Sequence, residues 1–434
     1  MSEREKSQAI FDRAAKVLSK GVSSNFRYWG PTETPVLAKG KAERVWDADG
    51  HEFIDYRLGW GPIILGHADD RVDQAVRDAV GQGITFAATT EREVEVAEKI
   101  VAMVPGMEML RMTNTGTEAT MHALRVARGY TGREKFIKFE GQYHGMYDYA
   151  LFSTASSPIS AMGSRRHPIP VQVSSGIPNK IRDYVVMLPF NDFEAVERVV
   201  KDQHSDIAAM MIEPCLGNIA GLEPVEGFLE HLRRLCDEYG IVMIFDEVKT
   251  GFRLANGGAR EAYGVIPDLS TYAKSLGNGY PVAAFGGKRD IMEVVGSGVA
   301  HGGTYSANGA SMAAANAVLD VLASEPVLAD LAKRGQRLKS GMSEVLSEQS
   351  IPHQMAGHPN MQAFLITEKE VKEVRDLVHH DDELYATIMK NLYERGVWAE
   401  DDAREPWFLC AAHTDAIIDE TLNRFEDSVK AAVQ

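Results

Sequence analysis

The sequence predicts an α/β fold, with a large, mostly parallel central sheet between helices and a smaller α+β domain after it. Three features predict it. Two strand–turn–helix–strand units can be read at 109–139 and 207–246, and such units build parallel sheets. Strands such as Ile207–Ile212 are unbroken apolar runs, as expected of strands covered on both faces. From about residue 320 the pattern changes to helices with short strands. At 434 residues the chain can bury more than one core. The division read from this is an N-terminal segment packing with the small domain (1–60), a large domain (61–320) and a C-terminal small domain (321–434).

The elements follow in order. Residues 7–20 carry Ile10, Phe11, Ala14, Val17 and Leu18 at helical spacing before Gly21. Arg44 to Tyr56 is a hairpin around Asp49-Gly50, a favoured two-residue turn. Thr90 with Glu93 is a capping box opening the next helix. Met109–Thr113 is a strand, Glu118–Arg128 a helix with Ala119, Ala123 and Ala127 on one face, and Lys135–Phe139 a strand. The Ser-, Pro- and Gly-rich stretch 153–180 has no periodicity and reads as a long, ordered or mobile loop. The second unit runs from Ile207–Ile212 through a helix carrying Phe228, Leu232 and Leu235 to the strand Ile241–Phe245. Strands are expected at Met361–Ile366 and Trp407–Ala411, and a last helix at 415–432 after a Thr414 cap.

Acidic residues outnumber basic ones by 62 to 46, which argues against a nucleic-acid or anionic-membrane surface. No apolar run approaches the roughly 20 residues that span a bilayer. The charged N-terminus lacks the apolar core of a signal peptide. Three well-separated cysteines, Cys215, Cys236 and Cys410, suit a reducing compartment without a disulfide framework, and no cysteine or histidine spacing suggests a metal site. The expected location is cytoplasmic.

Four pieces carry chemistry. Thr115-Gly116-Thr117 lies between a strand and a helix, where backbone N–H groups and the helix dipole suit a phosphate; a plain capped helix fits it equally. Gly141-Gln142-Tyr143-His144-Gly145 places an aromatic ring between glycines, able to stack on a flat heterocycle or simply to fill a turn. Asp246 ends the strand Ile241–Phe245. A carboxylate there can keep a pyridine nitrogen protonated, as pyridoxal phosphate (PLP) chemistry needs, or it can cap a helix. Lys274 follows a short apolar segment and precedes a glycine-rich turn. Desolvated there, its amine can form an imine, whereas most single lysines are merely solvated. No GxGxxG follows an early strand, which argues against a nicotinamide dehydrogenase.

Together these motifs resemble the class III aminotransferases of fold type I. The likeness is strongest to the branch holding glutamate-1-semialdehyde aminomutase and β-amino-acid aminotransferases. The most specific segments are Thr113 to Ala119, Tyr143-His144-Gly145, Phe245 to Val248, Pro281 to Gly287 and His301 to Ser306. The resemblance implies PLP as cofactor, with Lys274 as its Schiff-base lysine and general base and Asp246 as partner of the pyridine nitrogen. It implies a phosphate cup at Thr115, Gly116 and Thr117, ring contacts from Tyr143, His144 and Val248, and a nearby carboxylate at Glu213. Thr304 matches a phosphate ligand given by a neighbouring subunit, which implies a homodimer with shared sites. The implied reaction carries an amino group from a small-molecule amino acid or amine, through pyridoxamine phosphate, to an oxo acid.

Gly21 to Arg27 resembles the segment that supplies a carboxylate-binding arginine in the aminomutase branch. Arg27 is therefore a candidate for the substrate carboxylate, alongside Arg404, with Trp29 as an apolar wall. Ser174 to Pro178 follows the aminomutase pattern. Ser164-Arg165-Arg166-His167-Pro168, Gly309 after Asn308, and Asp401 to Pro406 depart from it. The departures favour an intermolecular aminotransferase acting on a carboxylated amine, including a β-amino acid, over the aminomutase. A PLP-binding protein without turnover is the third reading, against which the intact Lys274, Asp246 and Thr304 set stands.

Overall fold

The computed structural model describes residues 4–434, so residues 1–3 of the N-terminal segment lie outside the described residues. Its centre is a seven-stranded sheet. In chain order the strands are β1 (Met109–Thr113), β2 (Lys135–Phe139), β3 (Val185–Leu188), β4 (Ile207–Ile212), β5 (Val242–Asp246), β6 (Leu269–Tyr272) and β7 (Ala283–Gly287). Across the sheet they run β1-β7-β6-β5-β4-β2-β3. β7 is antiparallel to both its neighbours and the other pairings are parallel.

Both faces of the sheet are buried, which explains the unbroken apolar runs. In β4, Met210 and Ile212 enter one core cluster while Ala209 and Met211 enter the other. The Gly116–Thr131 helix meets the second face through Ala119, Ala123 and Ala127, small side chains that let helix and sheet approach closely. The Phe228–Tyr239 helix covers the first through Phe228, Leu232 and Leu235.

Strands Leu37–Lys41, Arg44–Asp47, Glu52–Asp55 and Val397–Trp398 form a second sheet, in which Val397 pairs with Ile54. The expected hairpin turns at Gly50, whose φ of +96° favours glycine. Strands His353–His358, Met361–Ile366 and Trp407–Phe408 make a third, antiparallel sheet. The final helix is Asp415–Ala432, capped by the Thr414 side chain.

Four local expectations differ from the structure. The first helix is Glu5–Ala14 rather than 7–20: Phe11 is buried but Val17 is 81% exposed, so the apolar stripe outruns its packing partner. Thr90 accepts a hydrogen bond from the Glu93 amide, but the full reciprocal box forms at Thr115 and Glu118 instead. The corresponding helix accordingly starts at Gly116, two residues before Glu118. The strand expected at Trp407–Ala411 stops at Phe408. The 153–180 stretch is ordered, with a two-stranded hairpin pairing Ser164 with His167. Arg375 fastens it by donating to the carbonyls of Met162 and Gly163 while bonding both oxygens of Glu140.

Arg253 joins these layers. Fully buried, it donates to the carbonyls of Asn360 (3.1 Å), Leu409 (2.9 Å) and Gly61 (2.6 Å). No carboxylate partners it among the described residues, and burial pulls its pKa down to about 10. Replacing it leaves the Leu409 carbonyl unpaired and the Asn360 and Gly61 carbonyls with only 3.4 Å contacts from the Leu409 amide and the Ser275 hydroxyl, at about 1–3 kcal/mol for each lost bond, offset by relief of the buried charge. Arg253→Met is expected to lower urea-unfolding stability by about 3 kcal/mol, and an unchanged midpoint would refute this bracing role.

Candidate active site

The carboxyl ends of β1, β2, β4, β5 and β6 open into one cavity of about 210 Å³, the crevice position in which α/β sheets bind ligands. Lys274 reaches it from just beyond β6. Its φ of +47° is left-handed, uncommon for a residue with a Cβ, and the fully buried Leu276 two residues on fixes the turn. Among the described residues its amine has no hydrogen-bond or ion-pair partner. Burial, and then the like charge of Lys249, lower its pKa to about 7. At neutral pH a large share of the amine is therefore neutral and nucleophilic, where an ordinary lysine is almost wholly charged.

Asp246 ends β5 and is almost fully buried, so its carboxylate needs partners. Oδ1 accepts from the Val248 amide (3.0 Å) and the Thr271 hydroxyl (3.2 Å), and Oδ2 lies 2.7 Å from His144 Nδ1. Burial lowers the His144 pKa against the pull of Asp246, favouring a neutral ring. In that form Nδ1–H donates to Asp246, a tautomer assigned from the network. His144 Nε2 is buried without a partner.

Opposite them, the Gly116–Thr131 helix starts at the cavity, where its first N–H groups have no intrahelical acceptor. Gly116, Thr117 and Thr120 line it. Gly145 has φ +103°, and a Cβ there would come within 2.7 Å of Thr117 Cα, so glycine lets the 141–145 segment close onto the helix start. Thr115 is exposed and its hydroxyl accepts from the Glu118 amide; it shapes the cup as a helix cap outside the cavity lining. Tyr143 and Val248 line the cavity. Glu213 holds Tyr143 in place, accepting from the Tyr143 amide (2.7 Å) and the Gly217 amide (3.0 Å). Burial, and then Asp246, push its pKa up.

Lys274, Asp246, Gly116, Thr117, Tyr143, His144, Glu213 and Val248 thus meet in one place. Besides Thr115, four others do not join them. Thr304 is exposed. Arg27 is exposed, although its neighbour Phe26 packs edge-on against Tyr143 at 6.0 Å. Arg404 is bonded to both Asp402 oxygens and to the Ala155 carbonyl. Trp29 packs on Tyr393 and Trp398, with the Arg57 guanidinium 4.8 Å from its ring. Sequence reasoning missed Lys249 and Asn218, which line the cavity. Lys249 directly follows Asp246-Glu247-Val248, a position that could have signalled it; Asn218 sits in an irregular loop without any pattern.

The family model for class-III aminotransferases matches residues 29–429. A glutamate-1-semialdehyde 2,1-aminomutase from Persephonella marina is 40% identical, covering 98% of this chain and 99% of the relative. An omega-transaminase structure from Sphaerobacter thermophilus superposes with a TM-score of 0.93 at 33% identity, covering 99% of this chain and 98% of that one. A beta-phenylalanine aminotransferase from Variovorax paradoxus does so with a TM-score of 0.88 at 26% identity, covering 99% and 95%.

The lowered Lys274 pKa has a measurable consequence. An amine titrating at about 7 loses nucleophilicity as pH falls through that value. Reaction of the apoprotein with pyridoxal phosphate, followed by absorbance, is expected to rise about tenfold from pH 6 to 8 and level off above. An ordinary lysine would climb about a hundredfold over that span and continue, and such a profile would overturn the assignment.

Proposed function

The chain belongs to the class-III aminotransferase family, fold type I enzymes dependent on pyridoxal phosphate, and within it we propose an intermolecular aminotransferase for carboxylate-bearing amines, with Lys274 and Asp246 as its catalytic pair. The observation that carries this reading is the unpartnered Lys274 amine facing the same cavity as a buried, fully hydrogen-bonded carboxylate, with a helix start across from both.

These residues fit the cofactor. The N–H groups at Gly116 and Thr117 suit its phosphate, the Tyr143 ring and Val248 suit the two faces of its ring, and Asp246 suits a protonated pyridine nitrogen. When bound, pyridoxal phosphate supplies an aldehyde that takes up an amino group and a ring that spreads the charge left by the departing proton. Lys274 holds the cofactor at rest and moves the proton of the substrate's amine-bearing carbon, which its pKa near neutrality allows in both directions. His144 keeps the Asp246 carboxylate oriented and satisfied. Glu213 fixes the Tyr143 backbone.

The remaining parts of the reading are an oxo-acid acceptor, a cytoplasmic location, the division at 60 and 320, and a homodimer. The exposure of Thr304, away from its own cavity, suits donation to a partner's phosphate. The Val397–Ile54 pairing suits an N-terminal segment packed with the C-terminal part. Three buried free cysteines suit a reducing compartment. A second reading, glutamate-1-semialdehyde aminomutase, is favoured by the 40%-identical relative of that name.

A half-reaction separates them. Holoenzyme mixed with β-amino acids, α-amino acids, simple amines or glutamate-1-semialdehyde, without an acceptor, is expected to give pyridoxamine phosphate and an oxo product from a carboxylated amine. Conversion of the semialdehyde alone to 5-aminolevulinate would move the assignment to the aminomutase. No conversion with any donor would leave a binding protein.

A further inference from the structure

We propose that Lys249 anchors the substrate's carboxylate, and that Glu405 holds this anchor ready until the incoming carboxylate displaces it. This rests on the amino-transfer reading above. A carboxylated substrate needs a cation inside the cavity. Among the described residues lining it, the cations are Lys274 and Lys249, and Lys274 is committed to the cofactor. Arg27 is exposed, and Arg404 already spends its guanidinium on Asp402 and the Ala155 carbonyl.

The Lys249 side chain is 8% exposed. Its ammonium donates to the Gly217 carbonyl (2.6 Å), to Asn218 Oδ1 and to Glu405 Oε2 (2.8 Å), which uses all three donors. Two of these acceptors belong to a fixed seat. Gly217 packs beneath the lysine stem, and a Cβ there would lie 2.3 Å from Lys249 Cδ. The same loop is tied to Glu213 through the Gly217 amide. Glu405 differs, because it lies in the irregular 401–406 segment with 23% of its side chain exposed and can return to water. Exchanging one carboxylate for another preserves the charge and hydrogen-bond count around Lys249, so no buried charge is stranded. Lys249 is three residues past Asp246 on the same turn, which couples the anchor to the group that positions the cofactor ring.

The test uses the holoenzyme and a non-reactive carboxylate, propionate, titrated by calorimetry. Lys249→Met is expected to raise its Kd about 100-fold, Lys249→Arg to retain most binding, and Glu405→Gln to tighten it by removing the competitor. In turnover, Lys249→Met should lower kcat/KM about 100-fold for 3-aminobutanoate and less than about threefold for 2-aminobutane. Equal losses for both donors would overturn the proposal. So would weaker propionate binding in Glu405→Gln, or a carboxylate-selective loss in Arg27→Ala in place of Lys249→Met. Absence of turnover by the unaltered enzyme with every donor would refute amino transfer itself, and the propionate titration would still judge Lys249.

Discussion

The site depends on keeping one amine, Lys274, out of water yet reachable. A lysine sheds its proton near neutrality only when desolvated, and the parallel sheet provides the dry wall. Both faces of β4 and β5 are covered, so side chains projecting from the carboxyl ends of these strands emerge at a floor that water does not reach from below. The left-handed turn at Lys274 then aims the amine into the cavity. A surface loop could hold the same sequence, but there the lysine would stay charged.

Dryness has a cost, since each isolated ion moved from water into the interior costs several kcal/mol. The surroundings answer it ion by ion. Asp246 has three donors. Glu140 is bonded by both arms of Arg375. The buried Lys138 donates to the Gln142 carbonyl (2.5 Å), and burial lowers its pKa to about 7. Gln142 in turn exchanges two hydrogen bonds with the Glu213 backbone. The 140–145 segment is therefore clamped from below while Gly145 fits it to the helix start, and Glu213 and Asp246 place the Tyr143 backbone and His144.

Much of this was legible in the sequence. The central strands announced themselves because burial on both faces forces runs without alternation, and Thr115-Gly116-Thr117 because a strand must turn there into a helix. Asp246 and Lys274 could be singled out because each follows such a run, and Tyr143 because glycines flank it. What stayed hidden depends on partners far along the chain. Val17 and Leu18 extend a helical stripe that nothing buries. The Lys249–Glu405 pair joins positions 156 residues apart, and no local pattern marks it. Apart from the candidate Arg404, the 401–406 stretch read as a departure from a familiar pattern, whereas folded it pairs Arg404 with Asp402 and supplies the counter-charge to Lys249.

That contrast separates chemistry from choice of substrate in this molecule. The residues proposed for the proton transfer and for the cofactor sit at strand ends and one helix start, which the core holds rigid. The polar groups facing the rest of the cavity, Asn218 and Lys249 with its partner Glu405, come from the 215–221 loop, the turn after β5 and the 401–406 segment. On the proposed reading, a change in those segments alters which carboxylate or amine is accepted. The chain is similar both to proteins named as aminomutases and to structures of transaminases. On the proposed reading, the shared scaffold carries the amino transfer, and Asn218, Lys249 and Glu405 bear on whose amino group it is.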